Sequence, residues 1–282
     1  MTGLARSAKA AGPERAIACD LLDAPRLAGA VREASPSLVV NAQALSDVDR
    51  CEREPKEAEA QNVRAVANLA AALAGQPAVL VHVSTDYVFD GTKGSPYVES
   101  DTVSPVNVYG RSKVQGEAEA LKHPRAVVVR TSTLFGPARK NFCDWTATQL
   151  LAGKPVEAFT DQVTSPTYTA DLADGLGELG VALEQCWAPN PSRTYHMVNA
   201  GAVSRVEFAE RVAALLGAPR ELIQRIPMAA QRRPALRPAF SALSTTEVPK
   251  AIGRTLRSWD DGLQAYLRER RLLDSARDGV PS

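Results

Sequence analysis

A tyrosine and a lysine four residues apart form the pair of side chains best suited to acid–base chemistry. Tyr109 and Lys113 open a helical pattern that runs to about Lys122, and positions i and i+4 share a helix face. A free tyrosine has a pKa of about 10 and is a protonated acid at neutral pH. A lysine ammonium nearby favours the phenolate and lowers that pKa towards the range where a general acid or base is efficient. The spacing therefore predicts a tyrosine that transfers a proton.

Three polar residues, Ser84, Thr85 and Asp86, are expected to face this pair. They follow an apolar run, residues 78–83, that is rich in β-branched side chains and typical of a strand buried on both faces of a parallel sheet. In open α/β sheets, ligands bind outside the carboxyl ends of the strands. We therefore expect the Thr85 hydroxyl to reach the same substrate oxygen as the tyrosine. The alternative is an ordinary amphipathic helix start, and the polar end of the preceding strand weighs against it.

The order of the elements indicates how these side chains are positioned. Short apolar runs, such as residues 37–41 and 126–130, are separated by helical patterns, whereas from Asn141 onward helices are punctuated by scattered short strands. This order predicts an α/β fold with a doubly wound, Rossmann-like parallel sheet in residues 1–140. A smaller substrate-binding lobe is expected in residues 141–282, with some crossing back between the two.

Two longer strings carry a resemblance to a known family. Ser84-Thr-Asp-Tyr-Val-Phe-Asp-Gly-Thr92 and Pro105-Val-Asn-Val-Tyr-Gly-x-x-Lys113 resemble the dTDP-4-dehydrorhamnose reductases of the extended short-chain dehydrogenase/reductase superfamily. The beta regulatory subunit of methionine adenosyltransferase carries a similar string. The resemblance extends over nearly the whole chain, and its further matches are Val39-Val-Asn-Ala42, Val48-Asp-x-x-Glu52, Arg130-Thr-Ser132, Asp161-Gln-x-x-Ser-Pro-Thr167 and Arg237-Pro238.

The resemblance implies an oxidoreductase of dTDP-rhamnose biosynthesis. It would use NADPH to reduce the 4-keto group of a nucleotide-linked deoxysugar, with Tyr109 as the proton donor. Lys113 would lower the pKa of Tyr109 and hold the nicotinamide ribose, and Thr85 would bind the carbonyl oxygen. Two alternatives stay open: a non-catalytic, NADP-binding regulatory subunit or degenerate family member, and a related sugar-nucleotide epimerase.

The resemblance also implies which residues contact the cofactor. Arg6 and Ser7 would meet a 2′-phosphate, which favours NADP(H), with NAD(H) as the alternative. Gln43 departs from the family's usual run of small residues along the cofactor. The full set of expected cofactor contacts is Arg6, Ser7, Asp20, Leu21, Asn41, Ala42, Gln43, Asn62, Ser84, Tyr109, Lys113 and Thr131.

Substrate contacts are implied in the same way. Thr133 stands where many rhamnose-pathway reductases have an aromatic residue, so the exact sugar is left open. Arg237 lies in a basic loop that would close over the nucleotide-sugar, where a guanidinium could meet a diphosphate. The expected substrate-binding residues are Asp86, Tyr87, Thr133, Asn141, Gln162 and Arg237.

The beginning of the sequence departs from a dinucleotide-binding domain. No Gly-x-Gly-x-x-Gly loop is present, and the stretch at Leu4 resembles the second strand of such a domain rather than the first. In the strand order 3-2-1-4-5-6, loss of strand 1 would leave the strands near Leu4 and Asn41 facing each other across a gap. Either these two strands pair, or the native protein begins roughly 30 residues earlier, the usual span of a strand–loop–helix unit. We expect the second.

Composition excludes several other classes of protein. The 282 residues carry a net charge of +1, which calls for neither nucleic acid nor an anionic membrane as a partner. Four widely spaced cysteines suit a reduced cytoplasm, and three histidines without ligand spacing predict no metal site. We therefore expect a cytoplasmic enzyme whose partner is a nucleotide-sugar substrate, and assembly into a homodimer is left open.

Overall fold

Short strands alternate with helices along the chain, of which a computed structural model describes residues 2–5, 15–187 and 193–272. The strands are β1 (Thr2–Ala5), β2 (Arg15–Ala18), β3 (Leu38–Asn41), β4 (Val79–Thr85), β5 (Ala126–Thr131), β6 (Leu134–Phe135), β7 (Val156–Phe159), β8 (Val163–Thr164), β9 (Thr167–Tyr168), β10 (Thr194–His196), β11 (Val203–Ser204) and β12 (Ile223–Ile226). The α-helices are α1 (Ala24–Ala34), α2 (Val48–Arg53), α3 (Pro55–Glu59), α4 (Ala65–Ala72), α5 (Val108–Ala120), α6 (Phe142–Leu151), α7 (Thr169–Gln185), α8 (Arg205–Leu216), α9 (Val248–Ile252) and α10 (Trp259–Glu269).

The central sheet contains four parallel strands in the order β10–β5–β4–β3. Leu80 of β4 lies opposite Val39 on one side and Ala126 on the other. β5 is buried along its whole length, as expected of a parallel strand covered on both faces. β4 extends to Thr85, so Ser84 and Thr85 belong to the strand instead of following it. The carboxyl end of β4 is polar because the last two residues of the strand have hydroxyl side chains.

Helices cover both faces of this sheet. On one face, Leu80 packs in a buried cluster with Val31 of α1 and Leu69 of α4. On the other face, Val81 packs with Leu176 of α7. Successive residues of a strand point to opposite faces, so neighbouring residues of β4 pack in two separate apolar layers. This arrangement is the doubly wound α/β fold that the sequence predicted.

The first two strands form a separate parallel pair, in which Gly3 lies opposite Ala16. Within the described residues, β3 pairs with β4 alone. The alternative in which the strand at Leu4 pairs beside the strand at Asn41 is therefore not what the structure has.

The second half of the chain builds its own apolar cluster and also returns to the central sheet. Leu150 of α6, Val212 of α8 and Leu263 of α10 pack together in that cluster. β10 then pairs with β5, with Tyr195 opposite Val129. None of the described helices combines the length and the apolar character needed to span a bilayer.

Candidate active site

A cavity of about 560 Å³ opens at the carboxyl ends of β4 and β5. Thr85, Tyr109 and Lys113 all line it. The three residues come from two elements, since Thr85 ends β4 and the other two lie on the first turns of α5. The structure thus brings the predicted catalytic residues to one wall of a single cavity.

A close approach between α5 and the end of β4 positions Tyr109. Asn107 caps the helix by accepting a hydrogen bond from Gly110 N at 2.8 Å. A Cβ atom at Gly110 would lie 2.1 Å from the carbonyl oxygen of Tyr87. Only glycine fits there, so the first turn of α5 packs directly on the short 3-10 turn Asp86–Val88. Tyr109 consequently stands beside Thr85.

Lys113 is almost fully buried and holds a fixed position. Its Nζ donates to the carbonyl oxygen of Val83 at 2.7 Å and lies 3.4 Å from Nε2 of His82. Burial lowers the pKa of Lys113 to about 8, against the raising effect of the Glu117 carboxylate one helical turn away. Lys113 is therefore a cation at neutral pH that loses its proton more easily than an exposed lysine.

The protonation of Tyr109 differs from the expectation. Burial is the largest cause and raises the pKa of Tyr109 well above its ordinary value of 10, while the Thr85 hydroxyl lowers it by a smaller amount. The net lowering of this pKa that the sequence predicted is not found, because burial raises the pKa and the charges of Asp86, Cys51 and Tyr87 raise it further. Tyr109 stays protonated at neutral pH, which is the state that proton donation requires.

Asp86 organises the hydroxyl groups behind the cavity. Its Oδ1 accepts a hydrogen bond from Thr85 at 3.0 Å, and its Oδ2 accepts from Ser132 at 2.7 Å and Ser241 at 2.5 Å. Burial raises the pKa of Asp86, against the lowering effect of these three hydroxyls. Although Asp86 lines the cavity as predicted, its carboxyl oxygens are occupied by protein groups. Its evident role is to orient Thr85.

Some of the expected cofactor residues face the cavity. Ala42 and Thr131 line it, and the hydroxyl of Thr131 is buried without a hydrogen-bond partner among the described residues. Ser84 also lines it, but its Oγ donates to Glu117 at 2.6 Å, and Glu117 in turn forms a buried bidentate ion pair with Arg130. The Thr131 hydroxyl is therefore a free polar group poised for a ligand.

Other expected cofactor residues lie behind this wall. Asn41 contacts His82 at 3.1 Å, and the side-chain amide of Gln43 donates to Gln61 at 2.9 Å. Asn62 donates to Ser112 at 2.9 Å, which in turn donates to the carbonyl oxygen of Tyr109 at 2.8 Å. Asn62 therefore braces the start of α5.

The remaining expected cofactor residues lie near the amino end of the chain. Asp20 accepts a hydrogen bond from Leu22 N at 2.9 Å, and the carbonyl oxygen of Leu21 accepts from Asn68. Arg6 and Ser7 lie outside the described residues.

The expected substrate residues divide into two groups. Tyr87, Thr133 and Asn141 line the cavity. Thr133 has a φ of 41°, a left-handed conformation that non-glycine residues adopt rarely and often at functional sites. Gln162 is buried behind the cavity, where its Oε1 lies 3.4 Å from Nε of Arg205. Arg237 lies off the described lining.

Arg237, which was expected to meet the diphosphate, forms an ion pair within the protein. Its guanidinium binds both carboxyl oxygens of Asp49, at 2.8 and 2.9 Å. This contact is the largest cause of the lowered pKa of Asp49. The charge of Arg237 is thus already compensated by the protein.

Several cavity residues were missed by sequence reasoning. Arg205 is the first residue of α8, directly after its N-cap Ser204, and its guanidinium stands 4.5 Å from the ring of Phe142. Arg139 and Lys140 also line the cavity. The capping pattern at Ser204 predicts the helix start, but no local pattern shows that the following arginine faces the cavity.

Comparison with known proteins places this geometry in a family. Residues 2–272 match the family described as RmlD substrate binding domain. The chain belongs to this family. A dTDP-4-dehydrorhamnose reductase of Burkholderia thailandensis is 38% identical, over 91% of this chain and 90% of that protein. A probable low-salt glycan biosynthesis reductase of Haloferax volcanii is 35% identical, over 87% of this chain and 82% of its own length.

A solved structure agrees with both the fold and the family. The dTDP-4-dehydrorhamnose reductase of Bacillus anthracis, solved in complex with NADP, has a TM-score of 0.81 and 28% identity. The match covers 89% of this chain and 86% of that one. The resemblance to dTDP-4-dehydrorhamnose reductases that the sequence indicated is confirmed for this member of the RmlD family.

Proposed function

We propose that this protein is an NADPH-dependent reductase of the 4-keto group of a dTDP-linked deoxysugar. The observation that carries the proposal is the convergence of Thr85, Tyr109 and Lys113 on one cavity wall. The chain that holds them is 38% identical to a dTDP-4-dehydrorhamnose reductase over most of its length. A proton-donating site of this kind serves carbonyl reduction, and the 4-keto sugar is proposed from the name of that relative.

The residues at the carboxyl ends of β4 and β5 fit the nicotinamide riboside half of the cofactor. The buried Lys113 ammonium suits ribose hydroxyls, and the unpartnered Thr131 hydroxyl offers a further hydrogen bond. Ala42 leaves room along the same wall. When bound, the cofactor supplies the hydride for the carbonyl carbon. The proposal of NADP(H) rests on the NADP named for the Bacillus anthracis relative.

The chain's own residues handle the proton. Tyr109 donates the proton from its Oη to the alkoxide that develops at the sugar oxygen. Thr85 presents a second hydroxyl beside it; its proton is directed to Asp86 Oδ1, so rotation of that hydroxyl is needed before it can bind the carbonyl oxygen. Lys113, held by Val83, keeps a positive charge beneath the reacting groups. This charge stabilises the phenolate once the proton has left.

We also propose a division of labour along the chain. Residues 1–140 would hold the cofactor and residues 141–282 the nucleotide-sugar, with β10 crossing back into the central sheet. Elements of both parts, such as Lys113 and Arg205, line the same cavity, which supports this division. A cytoplasmic location is proposed because the four cysteines are unpaired thiols.

The test is turnover by the purified protein. NADPH is mixed with dTDP-4-dehydrorhamnose, and loss of NADPH absorbance is followed together with the mass of the sugar product. We expect substrate-dependent oxidation of NADPH, with slower oxidation of NADH. A protein whose melting temperature rises with NADPH but which oxidises none of it would instead be a non-catalytic binding subunit.

A further inference from the structure

Among the described residues, two arginines line the cavity, Arg139 and Arg205, and the guanidinium of Arg205 is held against an aromatic ring without a carboxylate hydrogen-bonded to it. Its Nε lies 3.4 Å from Oε1 of Gln162, and its guanidinium carbon stands 4.5 Å from the ring centroid of Phe142. Phe142 lies on one side of the guanidinium and Gln162 lies at Nε. The two terminal nitrogens have no hydrogen-bond partner in the described part of the chain. The fork of donors is therefore presented to the cavity.

Three other buried or partly buried arginines are each paired with a carboxylate. Arg130 is paired with Glu117, Arg211 with Asp260 and Arg237 with Asp49, each through two nitrogen–oxygen contacts. Arg205 has no such carboxylate partner in the described chain. An arginine cannot shed its charge at neutral pH, so a partly desolvated guanidinium without an anion is costly. The protein tolerates that cost at Arg205 alone among these four.

The surrounding cavity is also cationic. Lys113, Arg139 and Lys140 line it together with Arg205, and among the described lining residues Asp86 is the single acidic one. The carboxyl oxygens of Asp86 accept hydrogen bonds from Thr85, Ser132 and Ser241. This carboxyl group is thus committed to hydroxyls, and the cavity as a whole favours an anionic ligand.

The start of α8 does not supply the anion site by itself. Ser204 and Glu207 form a capping box in which Glu207 N donates to Ser204 Oγ, and Ser204 N donates to Glu207 Oε2. These groups of the first turn are already satisfied, and Glu207 adds a negative charge there. The feature that calls for a ligand is the side chain of Arg205.

We infer that Arg205 anchors the diphosphate of the nucleotide-sugar through a bidentate contact, with Phe142 and Gln162 fixing the plane of the guanidinium. A guanidinium matches the oxygens of a phosphate with two parallel N–H donors, and it stacks on aromatic faces. Arg237, which the sequence suggested for this task, binds Asp49 through both of its terminal nitrogens. The inference rests on the proposed function for the identity of the substrate, but it assigns a residue and a ligand group of its own.

The test compares binding of three probes by calorimetry: dTDP, thymidine and NADPH. The variants are Arg205→Met, Arg205→Lys and the matched control Arg220→Met, which removes an equal charge from a side chain that is 68% exposed outside the cavity. We expect Arg205→Met to weaken dTDP binding by about 10- to 100-fold, the usual effect of losing a charge-assisted hydrogen-bonded pair. Arg205→Lys should weaken it less, because it keeps the charge and loses the fork.

The two remaining probes separate this role from other roles of Arg205. Thymidine and NADPH should bind each Arg205 variant as they bind the wild type, and Arg220→Met should leave all three affinities unchanged. Equal dTDP affinity in wild type and Arg205→Met would overturn the inference. A parallel loss of affinity for thymidine would also overturn it, because it would indicate a packing role. A loss of affinity confined to NADPH would overturn it as well.

The outcome also distinguishes this inference from the proposed reaction. A wild-type protein that binds dTDP through Arg205 and yet oxidises no NADPH with the keto sugar upholds the anchor and overturns the reaction. If the wild type is active and Arg205→Met keeps the wild-type KM for the sugar nucleotide, the reaction is upheld and the anchor is overturned. If Arg205→Met does not fold, the Arg205→Lys comparison of dTDP with thymidine decides.

Discussion

Burial shifts the pKa values of Tyr109 and Lys113 in opposite directions. It raises the pKa of the Tyr109 phenol and lowers the pKa of the Lys113 ammonium to about 8. The i, i+4 spacing was enough to place both on one cavity wall. The spacing could not give the direction of the Tyr109 shift, because desolvation depends on how much of the chain packs around each group. Tyr109 is consequently ready to donate a proton before any ligand charge acts on it.

Replacement of Tyr109 by phenylalanine tests the proton donor. Tyr109→Phe should lose roughly 10²-fold or more in kcat, the usual scale for general acid–base catalysis, and keep its NADPH affinity. Tyr195→Phe is the control, because Tyr195 is a buried tyrosine of β10 outside the described cavity lining. Steady-state rates on the keto sugar and NADPH titration give the two readouts. A Tyr109→Phe variant with near wild-type kcat would contradict the assignment.

The lowered pKa of Lys113 predicts a pH dependence of stability. Below about pH 8 both folded and unfolded chains hold the proton, and the cost of burying the charge is fully present. Between about pH 8 and pH 10.4, the ordinary lysine value, the unfolded chain binds more protons. The contribution of Lys113 therefore makes the free energy of unfolding rise with pH through that window.

Urea unfolding at several pH values measures this contribution. The free energy of unfolding of the wild type, taken relative to Lys113→Met, should be lowest and constant below about pH 8. It should then rise in favour of the wild type between about pH 8 and pH 10.4. Lys122→Met is the control, since it removes an equal charge from a side chain that is 68% exposed. Parallel curves for Lys113→Met and wild type would show that burial leaves this lysine unshifted.

At the scale of elements, the sequence located the helices and strands of the site but not how closely they meet. The predicted helix at Tyr109 is α5, and α3 and α4 form one continuous helix from Pro55 to Ala72. That helix contains a π turn, Ala60–Arg64, against which Gly116 of α5 packs so closely that a Cβ would lie 2.3 Å from the carbonyl oxygen of Asn62. A π turn depends on tertiary contacts of this kind, and periodicity alone does not show it.

Gly110 provides the test of this close packing. In Gly110→Ala the new methyl group would lie 2.1 Å from the Tyr87 carbonyl oxygen, and backbone there cannot give way as a flexible side chain can. We expect a loss of about 1–3 kcal/mol of stability and a lower kcat, because the first turn of α5 carries Tyr109. Gly177→Ala is the matched control, since nothing lies within 4 Å of a Cβ at this α7 position.

The control variant should behave in the opposite sense. Gly177→Ala should be stabilised by about 0.5–1 kcal/mol, since alanine loses less conformational freedom in a helix, and should keep its kcat. Chemical denaturation and steady-state turnover give both quantities. Equal stability of Gly110→Ala and Gly177→Ala would show that the α5 contact is loose.

At the scale of the whole molecule, the two halves meet through contacts that no local pattern reveals. β10 joins the central sheet beside β5 although β6 to β9, α6 and α7 lie between these two strands in the chain. The loop around Arg237 reaches back to the first half: Asn107 Nδ2, at the cap of α5, donates to the carbonyl oxygen of Leu236 at 2.8 Å. The basic character of this loop was visible in the sequence. Which arginine meets a carboxylate and which faces the cavity depends on long-range packing, so the sequence pointed to Arg237 and gave no signal for Arg205.

The Arg237–Asp49 ion pair is therefore expected to join the two halves instead of holding the ligand. It connects α2 to this loop, and its side chains are 11% and 27% exposed. Arg237→Met should lose about 1–3 kcal/mol of stability at pH 7 and keep its affinity for dTDP. Arg254→Met is the control, because the Arg254–Glu178 pair has 44% exposure on both sides and exposed pairs contribute about 0–1 kcal/mol.

The pH dependence of that loss identifies its cause. Arg237 holds the pKa of Asp49 below its ordinary value of 3.8, so the stabilisation is present above about pH 4 and is lost as pH falls through the folded-state pKa. The difference in free energy of unfolding between wild type and Arg237→Met should accordingly shrink below about pH 4, when Asp49 becomes protonated. A difference that stays constant in acid would assign the loss to packing of the arginine stem. A fall in dTDP affinity at unchanged stability would show that Arg237 binds the ligand.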